Sequence, residues 1–514
     1  MPAGTLFGIT DATASKADLD TGLKNEINGK LNKPTSNPTS DSAVVIDSSG
    51  KTSTKALSNF TEVYIGDNAP EDSDTSKIWI VPSADPQEPV IEYGIRWANT
   101  QSDPKGERVI RTNGIMSTWD IKFTPNVGTV NYNPFDSIKL FNPDIVYDTF
   151  GNKFSRFERF YWAREVVGDY TYTWVCKTKA NTNYHLPKAF SDGGTDWDYV
   201  DIGCYEAATE TTSGINYLVS KPNKILTNYL TRTENYKRAK NYNTRLGNPE
   251  NQYYMITTMS EYCEILTPLI LIMYGTRNTQ SIYNGVASMD MAEKTVLAYD
   301  KTIKTMYFGT DISTTYKVGY TLALNNVKNA DGTNYRTITE NGAITGTITN
   351  GVFTYSASGT NYYYVKVDGD LIDNLTKVII HCCPTGLTDS INATSGTISN
   401  SGHYSFKAFN IENIYGNTWN HILDVTVKDT IPYICKDIKT WTDTGTPETS
   451  SNFEKVNYTV GTTAGYAKTM GYDEIHPDVQ MTTEIGASST TYYSDLYYQS
   501  VDTRTVLVGG ALDY

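Results

Sequence analysis

Reading from the amino terminus, apolar residues first recur with a helical period. Leu19, Leu23, Ile27 and Leu31 fall four residues apart, which lays one narrow apolar stripe along a short helix that Pro34 ends. So short a helix is marginal alone and needs a partner, either the body of its own chain or copies of itself. The polar run NKPTSNPTSDSAVVIDSSGKTSTKALSNF then reads as a linker with one small strand, AVVID, closed by the turn SSGK. In VYIGDNAPEDSDTSKIWIVPS two alternating strands flank an acidic, proline-containing loop.

From about residue 91 onward the pattern becomes that of a large β-rich domain, with apolar and polar residues alternating between frequent turn signals. The one long helical period runs through Met259, Cys263, Leu266 and Ile270, and Pro268 should kink or divide that helix. Between about 316 and 370 the chain alternates strictly and is rich in Thr and Gly, which predicts a small β domain inserted into the larger one. The expected organisation is residues 1–60 as an attachment or oligomerisation segment, 61–90 as a small β connector, and 91–514 as the main domain.

Composition supports the β reading. Charged residues are only 19% of the 514, while Tyr (39) and Gly (38) are in excess, and Tyr and Thr suit a half-buried pleated surface as Asn and Gly suit turns. The fold class expected is mainly β with some α (α+β). A net charge of −14 without a basic stripe argues against nucleic acid as a partner, since a binder must displace counterions with Lys and Arg. No run of about 18 apolar residues occurs, so no membrane insertion is expected. The opening MPAGTLFGIT lacks the charged and apolar regions of a secretory signal, so none is expected.

Candidate chemistry is sparse. The six cysteines match neither a metal knuckle nor a dense disulfide framework, and they are expected to be reduced and buried. His381 with Cys382 and Cys383 would supply at most three metal ligands in poor geometry. No G-x-S-x-G and no H-E-x-x-H occurs, and no catalytic residue is assigned. Asp473, Glu474 and Asp478 form the densest acidic cluster beside aromatics. It reads as a solvated acidic turn or as an oxygen-ligand calcium site, calcium being the one cofactor considered.

The stretch IENIYGNTWN, residues 411–420, is too aromatic for a loose loop and too polar for a core strand. Asn413 and Asn417 carry amides that can satisfy buried backbone, Gly416 permits a turn, and Tyr415 and Trp419 supply large apolar surface for a core. This reads as scaffold. The order of HLPKAF, IGCYEAA, the helical segment, EN.YGN.W (Glu412, Asn413, Tyr415, Gly416, Asn417, Trp419) and the late R…GG (Arg504, Gly509, Gly510) resembles the C-type-lectin-like fold. The variant it resembles is shared by formylglycine-generating enzymes and phage tail ligand-binding proteins, among them the variable proteins of diversity-generating retroelements. The enzymes of that family work through late cysteines. None follows Cys435 here, so that activity is not expected.

The strings GKLNKPTSNPTSDSAVVIDSSGKTSTKAL and YIGDNAPEDSDTSKIWIVPS likewise resemble connector segments of bacteriophage tail fibres and baseplate-associated proteins. The resemblance implies a virion protein of the phage tail, assembled in the host cytoplasm. Its N-terminal segment would dock to other tail proteins, and its lectin-like domain would bind a host-surface glycan or protein. A homo-oligomer, a trimer, is expected from the unsatisfied helix stripe and the symmetry of tails. Two alternatives stay open: a purely architectural collar, baseplate or connector protein, and a polysaccharide depolymerase. The candidate ligand contacts are Tyr492, Tyr493, Asp495, Tyr497 and Tyr498, with GTNYYYVKV (359–367) as a second string, because exposed Tyr offers contact area at low entropy cost.

Overall fold

Alternation sets the first sheet. Ile91–Ala98 buries every second side chain over most of its length and pairs antiparallel on both sides, giving the five-strand order Tyr161–Val167, Tyr170–Cys176, Ile91–Ala98, Glu107–Thr112, Ile115–Thr118. The computed structural model describes residues 42–46, 52–56, 62–65, 77–80 and 89–509, the last span apart from 129–132, 192–193, 227–229, 248–256, 287–291, 328–332, 494 and 500. The chain divides into two compact units, Met1–Pro89 and Val90–Tyr514. In the first, Ser42–Ile46 and Thr52–Ala56 form an antiparallel pair, and Glu62–Ile65 and Lys77–Ile80 a parallel one. The predicted helix of Leu19, Leu23, Ile27 and Leu31 lies outside the described residues, as does Gly510.

The second unit is mainly β. Gly94 shows how tightly its first sheet is packed: a Cβ there would sit 2.3 Å from Cε3 of Trp174, a fully buried ring on the adjacent strand. Gly94→Ala should therefore destabilise the protein by about 1–3 kcal/mol through overpacking, read as a lower urea midpoint. A midpoint unchanged by the substitution would mean that Trp174 yields without cost.

The helical period predicted around Pro268 is present, and the proline divides it. Glu261–Leu266 is a π-helical turn and Thr267–Tyr274 an α-helix. Pro268 has no N–H to donate, and the change of register falls just before it: Thr267 donates both its N–H and its hydroxyl to the carbonyl of Tyr262. The α-helix is apolar on most sides, as suits an element enclosed all round. Ile265, Leu269, Ile272 and Met273 sit in the main core with Phe135, Phe141, Phe157, Trp162, Phe190 and Phe406.

A separate core lies under an eight-stranded antiparallel sheet, the strand order of which runs from Lys294–Thr295 and Lys377–Cys382 through Thr321–Leu324, Tyr335–Thr349 and Thr360–Val367 to Thr305–Phe308 and Ala298–Asp300. Val352–Tyr355 pairs with Tyr335–Thr349 as a side branch. This unit extends beyond the 316–370 expected from alternation. Its flanking strands Thr305–Phe308 and Lys377–Cys382 are buried almost throughout, so they do not alternate. In the tyrosine string of this sheet, Tyr363 packs on the core and the Tyr364 hydroxyl donates to Glu340.

The closing part of the chain builds a four-stranded sheet, Phe453–Lys455, Ile431–Cys435, Asn420–Lys428, Arg504–Val508, and a three-stranded one, Thr482–Ile485, Gly465–Met470, Leu496–Tyr497. The helix Arg232–Leu246 lies near the first of these. Thr231 and Glu234 form a capping box at its start, and Arg232, 2% exposed, donates to the carbonyl of Val425 at 2.8 Å and pairs with Asp443.

Candidate functional site

The stretch 411–420 is the centre from which the candidate site is held. Asn413, Gly416 and Asn417 all take left-handed backbone conformations, with φ of 52°, 82° and 60°, which Asn and Gly adopt at least cost. The chain thereby folds back on itself and aims its side chains inward. Asn417 is wholly buried: its Oδ1 accepts the Cys383 N–H at 2.8 Å, and its Nδ2 donates to the Cys383 carbonyl at 3.2 Å. Asn413 Nδ2 donates to Ser405 Oγ at 3.2 Å.

Both amides also converge on Glu206, with Nδ2 of Asn413 at 2.9 Å and of Asn417 at 2.5 Å from Oε2, while the Thr418 hydroxyl donates to Oε1. Burial pushes the Glu206 carboxyl up to about 7 despite these three donors. Glu412 repeats the device: it is 2% exposed, accepts from Gly386 N–H, Thr388 N–H and Thr388 hydroxyl at 2.8–2.9 Å, and is likewise pushed up to about 7 by burial. Gly416 N–H donates to the Gly509 carbonyl at 2.6 Å, which ties the late R…GG segment to this centre, and Arg504 begins the strand that pairs with Asn420–Lys428.

Trp419 is the correction. It does not fill a core but is 37% exposed, because it precedes the strand Asn420–Lys428, whose buried run begins only at Ile422. Tyr415, by contrast, packs on the main core, 4.4 Å from the Phe406 ring, and its hydroxyl donates to the Thr279 carbonyl at 2.8 Å.

That last bond leads to the surface. Through the turn Arg277–Ser281, the buried centre fixes the loop that holds the predicted tyrosines. Thr279 Oγ1 donates to Asp495 Oδ1 at 2.6 Å, and Asn278 Nδ2 to the Ser489 carbonyl at 3.0 Å. Tyr492, at φ 55°, donates its N–H to the Ser102 carbonyl at 2.7 Å, and Tyr493 its N–H to Ala467 at 3.3 Å. The guanidinium of Arg277 lies 5.2 Å from the Trp97 and Tyr493 rings and 5.9 Å from Tyr492, while donating to the Gln101 carbonyl at 3.0 Å. Tyr497 packs on the closing core and its hydroxyl donates to the Gly461 carbonyl at 3.0 Å.

The five predicted contacts therefore divide. Tyr498 is open at 63%, beside Leu496 at 58%; Asp495 is exposed but engaged by Thr279; Tyr492 and Tyr493 are half-buried around Arg277; and Tyr497 is structural. Arg277, Thr279, Trp97 and Glu206 were not anticipated, because each meets its partners across a long stretch of chain and no local pattern marks them.

Asp473, Glu474 and Asp478 do not come together. Asp473 is buried and spends its two oxygens on the N–H groups of Asn457 and Ile475, at 2.9 and 3.1 Å. Asp478, also buried, faces Lys188 Nζ at 3.4 Å, and Glu474 is exposed. Among the described residues no group of three or more His, Cys, Asp or Glu side chains is arranged to hold a metal. His381 is buried with its ring stacked 3.8 Å from Tyr335, and all six cysteines are free and buried. Burial pushes the thiols of Cys382 and Cys383 upward, away from thiolate character.

The arrangement can offer aromatic and hydroxyl surface from a loop held by backbone hydrogen bonds. Compared with the models of known families and with curated proteins, the chain matches none.

Proposed function

We propose that this chain is a component of a bacteriophage virion, a tail fibre or related appendage. Its N-terminal segment docks to other tail proteins, and its larger unit, with a C-type-lectin-like fold, binds a glycan or protein on the host bacterial surface without cleaving it. The reading is supported by the resemblances of the N-terminal strings and of the motif order after residue 91. The observation that carries it is the loop Ser488–Tyr498: it is anchored to three other segments, at Ser102, Asn278–Thr279 and Ala467, yet leaves Leu496 and Tyr498 open to solvent. An exposed aromatic on a held loop gives contact area with little ordering cost on binding.

The test is retention of the purified chain on envelope fractions from a panel of bacterial strains. Tyr498→Ala combined with Leu496→Ala should lower retention about tenfold, since exposed aromatic anchors dominate such interfaces. The melting temperature should hold, because exposed substitutions cost within about 0.5 kcal/mol. Released oligosaccharide would instead identify a depolymerase. Neither retention nor product would leave the architectural role.

A further inference from the structure

Next to the turn Asn113–Gly114, which joins the outer strands Glu107–Thr112 and Ile115–Thr118 of the five-stranded sheet, an open depression of about 520 Å³ is lined by Val90, Glu92, Arg111, Asn113, Ala180 and Asn181. A ligand of one or two sugar rings fits such a volume. The polar groups on its wall are only half used. Glu92 is 3% exposed, and its Oε2 accepts from Arg111 Nη1 at 2.8 Å and from the Tyr184 hydroxyl, whereas its Oε1 accepts from nothing among the described residues. Asn113 spends its Oδ1 on the Val90 N–H at 3.1 Å, and Asn181 its Oδ1 on the Asn183 N–H at 2.8 Å. The two side-chain NH2 groups donate to nothing among the described residues. One carboxylate oxygen and two amide NH2 groups are thus left on the lining of one depression.

Charge and shape narrow the ligand. The Arg111 guanidinium is met by two carboxylates, Glu92 at 2.8 Å and Glu165 at 2.9 Å, so the wall is negative and repels phosphate, sulfate or carboxylate groups. No aromatic residue lines the depression, and the two rings that meet its charged wall, Trp174 at 4.2 Å beneath Arg111 and Tyr184 bonded to Glu92, are buried, so the wall offers no stacking face for a flat aromatic ligand. What remains is an uncharged molecule rich in hydroxyls, each of which can donate to a carboxylate oxygen and accept from an amide.

We propose that this depression is a saccharide-binding site in which Glu92 Oε1 accepts from a sugar hydroxyl and the side-chain amides of Asn113 and Asn181 donate to neighbouring sugar oxygens. The site is separate in residues from the Ser488–Tyr498 loop and requires neither that loop nor a virion to act.

The experiment titrates the full chain with the methyl glycosides of glucose, galactose, mannose and N-acetylglucosamine, followed by calorimetry and saturation-transfer NMR. At least one glycoside should bind saturably. Asn181→Ala, on an exposed loop, and Asn113→Gly, which suits the φ of 48° there, should each weaken binding about tenfold, while the exposed turn bonds they remove lower the melting temperature by only a few degrees and leave the chain folded at the assay temperature. Tyr498→Ala should leave glycoside binding intact. No binding of any glycoside would overturn the proposal. So would binding that survives both Asn variants, binding lost with Tyr498, or binding of putrescine in place of the glycosides.

Discussion

Melting curves recorded at about pH 8 and about pH 5 should show the protein more stable at the acidic condition, with the change spread over the neutral range. Carboxyls raised by burial set this expectation, Glu206 among them and three others most deeply enclosed. Glu412 is pushed up to about 7 and Asp424 to about 6 by burial, and Glu264 is raised by burial and then by the neighbouring Asp478 carboxylate. In the unfolded chain such groups give up their protons near 4.5 for Glu and 3.8 for Asp. Between those values and their folded ones, the native state holds more protons than the unfolded state, so stability falls as pH rises through the window. It is fully present below the unfolded values. At about 1.4 kcal/mol per pH unit of displacement, Glu412 alone contributes on the order of 3 kcal/mol. Carboxyls held low act in the opposite sense: Glu107 beside Arg96 and Glu210 beside Lys221 contribute stability that is lost under strong acid. His185, His403 and His421, whose imidazoles burial pushes down, also oppose the trend, because the unfolded chain takes up their protons as pH falls through the histidine range, so the optimum should lie on the acid side of neutrality as a balance of these sets. Glu412→Gln keeps the size of the side chain and removes its titration, and it should flatten part of the slope. A profile that rises from acid to neutral pH would show that these carboxyls are ionised in the native protein at no cost.

The same residues show what a reader of the sequence can and cannot see. Asn413, Gly416 and Asn417 were legible as scaffold because short amide side chains and a glycine packed among aromatics have few other uses. Their principal acceptor was not, since Glu206 lies 207 residues from Asn413 and 211 from Asn417 and sits in an ordinary CYEAA context. Alternation announced the β class and the strands of the inserted sheet that have one solvent face, and missed those buried on both faces, because a fully buried strand carries no period. Trp419 was misplaced by composition. Its area argues for burial, but its position one residue ahead of a strand decides otherwise. In the tyrosine-rich string 488–499, composition alone treats the rings alike, and only their tertiary partners separate Tyr498, which is open, from Tyr497, which is locked to Gly461.

Asn417→Ala should be clearly more damaging than Trp419→Ala. Removing the Asn417 amide leaves the N–H and carbonyl of buried Cys383 without their partner and takes one donor from Glu206, at about 1–3 kcal/mol for the stranded groups. Alanine must also hold the left-handed φ of 60° without the local compensation Asn provides, at about 1–2 kcal/mol more. Asn417→Gly separates the two effects, because it relieves the backbone and still lacks the amide; it should recover only the conformational share. Trp419, more than a third exposed, opens to solvent on truncation and leaves no closed cavity, so it should cost only about 1–2 kcal/mol for the apolar area it covers. Urea denaturation of the three variants beside the parent reads all of these differences. If Trp419→Ala fell as far as Asn417→Ala, the tryptophan would be a core residue after all, and the strand Asn420–Lys428 would have to begin earlier and turn its first positions inward.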